Sequence, residues 1–276
     1  MKKYLLLLTV LFLWSCSSDD DHSETLKAQD TMNVSYGPDS EQTYDLYLPE
    51  GRSSSYTKVL ILVHGGGWSA GAKEDMNYAV PVIKLQFPNY AIVNMNYRLA
   101  TGTSPAYPKQ TDDIASVIAH LESHSADYGI SNQYAFFGVS AGAHLSMLYA
   151  YRFDTAHHVK AVCSVVGPTD FNDPAYADSE LQTTLLPYLT GDITAEFLTE
   201  VSPVGNVSAQ SPPTIQFLGN QDPLIPVTQG TRLEAALDGF GVSNELYYYE
   251  AGHGNFSIAD TQDIYGKLGN FFAAHF

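Results

Sequence analysis

The chain has 276 residues, 45% of them hydrophobic, enough to bury one substantial core. Length over ~150 suggests two domains, but α/β folds of this size are often single. A formal charge of −17 and an isoelectric point near 4.6 argue on electrostatic grounds against nucleic acid or anionic membrane surfaces as partners.

Lys2 and Lys3 precede an apolar run over 4–14, and small or polar residues follow. This is the pattern of a signal peptide over 1–15, with a run too short to span a bilayer of ~30 Å. Leu13-Trp14-Ser15-Cys16 resembles the lipobox of bacterial lipoproteins, with Trp14 departing from the residue usual at its position. The resemblance implies that Cys16 is lipidated and that two or more acyl chains anchor the protein. Ordinary secretion with cleavage nearby is the alternative. Ser17-Ser18-Asp19-Asp20-Asp21 opens an acidic stretch, which predicts a solvated tether to about Gln29. It also resembles the acidic tag that, in certain Gram-negative bacteria, sends lipoproteins to the outer face of the outer membrane. The expectation is an exported protein, an outer-membrane lipoprotein facing the cell surface or the periplasm.

Alternation predicts strands over 33–36 and 44–48, with Gly37-Pro38-Asp39 as the turn between them. The continuous apolar run 59–63 predicts a strand buried on both faces, ending in His64-Gly65-Gly66-Gly67-Trp68. A helix over 76–86 and a buried strand over 90–95 follow. Thr111-Asp112-Asp113 predicts the start of an amphipathic helix running to about Ser125, with Thr111 as N-cap and both aspartates complementing the positive helix end. His120 and His124 on that helix, and His157-His158 beyond it, lack a further ligand pattern and read as surface residues. The run 161–166 is another buried strand, and Cys163 within it reads as an inert small hydrophobe.

The segment 169–207 is less regular, with four prolines and a short apolar helix candidate over 181–189. It predicts a cap insertion that covers a site and sets substrate shape. A strand over 214–218, a helix over 227–237, a strand over 245–249 and a final helix over 259–273 complete the chain. Strands alternating with helices predict an α/β fold, a doubly wound and mostly parallel sheet with helices on both faces. The domain is expected over 30–276.

The chemistry centres on Gly138-Val139-Ser140-Ala141-Gly142, a G-x-S-x-G pattern between a strand (133–137) and a helix (141–151). A sharp turn there places Ser140 at a strained apex, and a Cβ at Gly138 or Gly142 would collide with the neighbouring strand or helix. The N–H of Ala141 can then face a developing oxyanion. A free hydroxyl is a poor nucleophile, so it needs a base and an acceptor that fixes the base's tautomer. His253 and Asp222 supply both from loops after predicted strands, which share the carboxyl edge of a parallel sheet with the serine turn. The order Ser140, Asp222, His253 is that of α/β hydrolases. Consecutive glycines after His64 let backbone N–H groups approach a tetrahedral oxyanion without side-chain obstruction, each donor worth about 2.7–4 kcal/mol.

From about residue 34 onward the chain resembles the α/β-hydrolase superfamily. His64-Gly65-Gly66-Gly67-Trp68 with Asn96-Tyr97-Arg98-Leu99 is similar to the HGGGW-bearing carboxylesterases, which include the bifunctional feruloyl and acetyl xylan esterases of polysaccharide-degrading bacteria. The resemblance implies that Ser140 attacks an ester carbonyl while His253 acts first as base, then as acid. Asp222 orients His253, and Gly66, Gly67 and Ala141 form the oxyanion hole. It places Trp68 at the acyl side of the pocket or, equally, in the packing beneath the loop; His64 becomes a loop anchor and Tyr97-Arg98 scaffold. The expected substrate is a small acyl or feruloyl ester, on a small molecule or a plant glycan, with no metal or organic cofactor. An amide hydrolase of arylformamidase type, or a non-catalytic surface-binding protein on the same scaffold, are the alternatives.

Overall fold

The computed structural model describes residues 25–191 and 193–276; the predicted leader, Cys16 and most of the acidic tether lie outside them. Eight strands form one sheet: β1 (Gln29–Ser35), β2 (Thr43–Leu48), β3 (Val59–Val63), β4 (Ala91–Met95), β5 (Tyr134–Val139), β6 (Val159–Val165), β7 (Thr214–Gly219) and β8 (Asn244–Tyr249). Their order across the sheet is β1-β2-β4-β3-β5-β6-β7-β8. β1 with β2 and β2 with β4 pair antiparallel, and every other pair is parallel.

The uninterrupted apolar run of β3 follows from burial on both sides. Val59, Ile61 and Val63 enter the core on one face, while Leu60 and Leu62 enter the core on the other. The helices are α1 (Ala79–Gln86), α2 (Lys109–Ser123), the single turn α3 (Ser125–Tyr128), α4 (Ala141–Leu148), α5 (Leu186–Leu189), α6 (Ala195–Val201), α7 (Thr228–Gly239) and α8 (Ile258–His275). α1 and α8 cover the Leu60 face; α2, α4 and α7 cover the Val59 face. β4 and β5 flank β3 on opposite sides, so the chain reverses its direction of travel there. Loops after β3 and β5 diverge at that point and open a crevice at the carboxyl edge.

Four expectations shift. The body begins earlier than the tether reading allowed: Gly51 donates its N–H to the Leu26 carbonyl, Arg52 binds the Lys27 carbonyl, and β1 already starts at Gln29. α2 begins at Lys109, so Thr111 sits inside its first turn and donates its hydroxyl to the Pro108 carbonyl rather than capping. Asp113 does not serve the helix end either. Its carboxylate is fully buried, pairs with Arg98 at 2.6 Å and accepts Gln42 Nε2 at 2.9 Å. A charge-assisted bond to a guanidinium outweighs a helix-end interaction of about 0.3–1 kcal/mol, so tertiary pairing takes the side chain. Finally, α4 ends at Leu148 and the chain continues as a π-turn over Tyr149–Phe153.

Candidate active site

Ser140 stands at the apex between β5 and α4 with φ of 53° and ψ of −119°, a conformation that costs an L residue roughly 1–3 kcal/mol. It persists because its surroundings over-determine it. The Ser140 N–H donates to the Val165 carbonyl at 2.8 Å, and the Ser140 carbonyl accepts the His144 N–H at 3.1 Å. The flanking glycines let backbones touch: a Cβ on Gly142 would lie 2.2 Å from the Val63 carbonyl oxygen, and one on Gly138 would lie 2.6 Å from Ala143 Cα.

β7 and β8 deliver the other two groups. Their ends are tied together by Asn220 N–H to the Tyr249 carbonyl and Gln221 N–H to the Ala251 carbonyl, which brings the Asp222 and His253 loops side by side. His253 Nδ1–H donates to Asp222 Oδ2 at 2.8 Å, and the Ser140 hydroxyl donates to His253 Nε2 at 2.9 Å. The Asp222 side chain is buried, and its Oδ1 accepts the N–H groups of Leu224 and Ile225. That anchoring fixes which oxygen faces the imidazole, and hence which ring nitrogen carries the proton. The three predicted groups thus form one continuous hydrogen-bonded chain. Chemically, such a chain can accept a proton from a hydroxyl and return it to a leaving group.

The glycine loop lies beside the serine turn. Gly66, at φ of 115°, turns so tightly that a Cβ would sit 2.0 Å from the Ala70 carbonyl oxygen. Its own carbonyl accepts the N–H groups of Ser69 and Ala70. Among the described residues, the N–H groups of Gly66 and Gly67 have no hydrogen-bond partner. The Ala141 N–H, first in α4, has none within its helix, as at any helix N-terminus. His64 is a loop anchor: buried, stacked on Tyr97 at 4.1 Å, with Nδ1–H donating to the Gly65 carbonyl. Burial lowers its pKa. The Tyr97 hydroxyl donates to the His64 carbonyl at 2.9 Å.

Trp68 is packed beneath the loop and also borders a cavity. Its ring is 1% exposed and packs edge-on against His144 and Phe171, yet part of it lines a narrow slot beside Ser140. His144 is a residue the sequence reading passed over. It is fully buried; its Nδ1 accepts the Trp68 indole N–H at 3.2 Å, and its Nε2–H donates to the Val201 carbonyl at 2.7 Å. An indole can only donate and a carbonyl only accept, so the neutral Nε2–H tautomer is required. Burial accordingly pushes the pKa of His144 down to about 4, against the opposing pull of the Val201 carbonyl. The imidazole joins the glycine loop, the helix behind Ser140 and α6. It lies two residues beyond the Gly138-to-Gly142 pattern, and nothing in that pattern identifies Trp68 and Val201 as its partners.

A family model described as BD-FAE matches residues 44–237, well over half of the chain. The chain belongs to the BD-FAE family. Its fold is that of the α/β hydrolases. Among relatives, Esterase LipC of Mycobacterium tuberculosis is 27% identical over 246 residues, covering 82% of this chain and 60% of that protein. The chain spans between half and three-fifths of the length of the first curated relatives it matches. Two solved structures share the BD-FAE protein's fold. One is described as a truncated form of a carbohydrate esterase from gut microbiota (TM-score 0.72, 21% identity, covering 90% of this chain and 99% of that one). The other is an acetyl ester-xyloside bifunctional hydrolase from Caldicellulosiruptor lactoaceticus (TM-score 0.72, 18% identity, covering 90% and 97%).

His120 and His124 stack on each other, and His158 pairs with Glu122; neither pair lines the cavities at Ser140. Cys163 is buried and free, and burial raises the pKa of its thiol. It is therefore unsuited to thiolate chemistry.

Proposed function

We propose that this BD-FAE protein hydrolyses carboxylic esters, small acyl or feruloyl, through an acyl-enzyme on Ser140. The observation that carries the reading is the unbroken chain from Ser140 Oγ through His253 to Asp222, with both links between 2.8 and 2.9 Å. His253 Nε2 takes the Ser140 proton as Oγ attacks the ester carbon, and the negative carbonyl oxygen is met by the N–H groups of Gly66, Gly67 and Ala141. The imidazolium, steadied by Asp222, then gives its proton to the departing alkoxide oxygen. Water enters, loses a proton to the same nitrogen, attacks the acyl carbon, and Ser140 leaves reprotonated by His253. No further group is needed to balance protons.

A glycan as the alcohol half is supported by the words carbohydrate esterase and acetyl ester-xyloside in the descriptions of two fold relatives. The test is hydrolysis of p-nitrophenyl acetate, methyl ferulate, acetylated xylan and N-formylkynurenine by the purified protein, alongside labelling by a fluorophosphonate. Ester turnover with a Ser140 adduct is expected. Faster turnover of N-formylkynurenine would favour the amide hydrolase, and the lack of any adduct on folded protein would favour a non-catalytic binder. Export and lipidation at Cys16 belong to the same proposal; incorporation of labelled palmitate should vanish in Cys16→Ala.

A further inference from the structure

Two cavities of very different size meet at Ser140. One is a slot of about 10 Å³ bounded by Trp68, Ala141, Pro168, Leu181, Leu185 and Ile225. That is the room of about one water-sized sphere, close to a methyl group and far below an aryl ring. The other is a groove of about 520 Å³ that runs past the glycine loop and carries Ser69, Asp75 and the exposed ring of Tyr78. An ester carbonyl whose oxygen faces the glycine loop has two substituents, and these must depart into the two spaces.

Their chemistry assigns them. The alcohol has to leave, and water has to take its place beside His253, so its side must be open and wetted. The groove is far the roomier and carries Ser69, Asp75 and Tyr78 along its length; the slot, apart from Ser140 and His253 themselves, is walled by apolar side chains. The acyl substituent therefore enters the slot.

Leu185 and Leu224 both line the two cavities, and of the pair Leu185 is the one that abuts the glycine loop, so closely that a Cβ on Gly67 would come within 3.0 Å of Leu185 Cδ2. Its placement is set by the chain on either side. The π-turn Leu181–Leu185 puts Leu181 and Leu185 one turn apart. α5 then buries Leu186 and Leu189, and its last carbonyls are pinned by the N–H groups of Ala106 and Tyr107.

We infer that Leu185 is the specificity-determining residue for acyl length, restricting the enzyme to esters of acetyl size on bulky alcohols and excluding feruloyl groups. The inference rests on the ester hydrolase reading given above. Its test is kcat/KM for p-nitrophenyl acetate, butyrate and hexanoate and for methyl ferulate, with the full chain and with Leu185→Ala and Leu185→Phe. A pocket discriminates one methylene by roughly 10–200-fold, so acetate should exceed butyrate by at least about tenfold. Leu185→Ala should raise the butyrate-to-acetate ratio about tenfold, and Leu185→Phe should depress acetate itself. Equal rates on acetate, butyrate and hexanoate, or methyl ferulate turned over as well as acetate, overturn the inference and leave the esterase reading standing. No hydrolysis of any ester overturns the esterase reading and the inference with it.

Discussion

The sheet edge beneath Ser140 and the segment 169–207 above it are held in place by different means. At the edge, backbone meets backbone: Gly142 against Val63, Gly138 against Ala143, Ser140 N–H on the Val165 carbonyl. The upper segment, beyond the two backbone bonds from Ala106 and Tyr107 to α5, hangs on side chains. Gln229 receives the N–H groups of Thr169 and Asp170 on its amide oxygen and donates to Asp173, Arg232 pairs with Asp170, and His144 reaches the Val201 carbonyl. Backbone contacts tolerate almost no side-chain substitution, whereas side-chain contacts can be re-made by other residues. On the function proposed above, the reaction would be built into the rigid part and the choice of substrate into the replaceable part.

The comparison breaks first at the chemistry. Ser140→Ala should lower kcat on p-nitrophenyl acetate by on the order of 10⁶, measured by initial rates at saturating substrate; wild-type turnover in that variant removes the sheet edge from the mechanism. Asp222→Asn should keep the fold and lose about 10⁴ in kcat, because the amide no longer fixes the His253 tautomer. Unchanged melting alongside the lost rate separates this from unfolding.

Stability sharpens the same contrast. Gly142→Ala forces a methyl to within 2.2 Å of the Val63 carbonyl and should cost about 4 kcal/mol in urea unfolding. A comparable substitution in the upper segment, Gly191→Ala, meets nothing within 4 Å and should change the unfolding free energy by no more than about 0.5 kcal/mol. A pH effect tests the link between the two regions. His144 stays neutral in the fold to about pH 4 against 6.5 for an ordinary imidazole, so between those values the unfolded chain binds a proton the native state refuses. Its contribution is fully present above about pH 6.5 and is lost as pH falls toward 4, by on the order of 2–3 kcal/mol. The drop in melting temperature from pH 7 to 4.5 should be smaller in His144→Gln than in wild type; an equal drop assigns the acid sensitivity to other groups.

Residue order and local pattern carried most of the sheet and the three interacting groups, because each sits in a short turn with its own signature: glycines around Ser140, a post-strand loop at Asp222, another at His253. Where local pattern failed, a distant partner had intervened. Thr111-Asp112-Asp113 looks like a helix start, yet Arg98 and Gln42 claim Asp113 from elsewhere in the chain. His144 lies four residues from Ser140 in plain view, but its two hydrogen-bond partners are 76 and 57 residues away.

What the sequence determined alone is the meeting of Ser140, His253 and Asp222, since strand, turn and helix signals are written in residues a few positions apart and the sheet edge collects them automatically. What only the tertiary structure decided is the space around Ser140. The slot exists because Leu181 and Leu185 fold back across the sheet edge onto Trp68 and Gly67, over 100 residues earlier in the chain. A volume of about 10 Å³ is a difference between packed surfaces, and no stretch of sequence contains it.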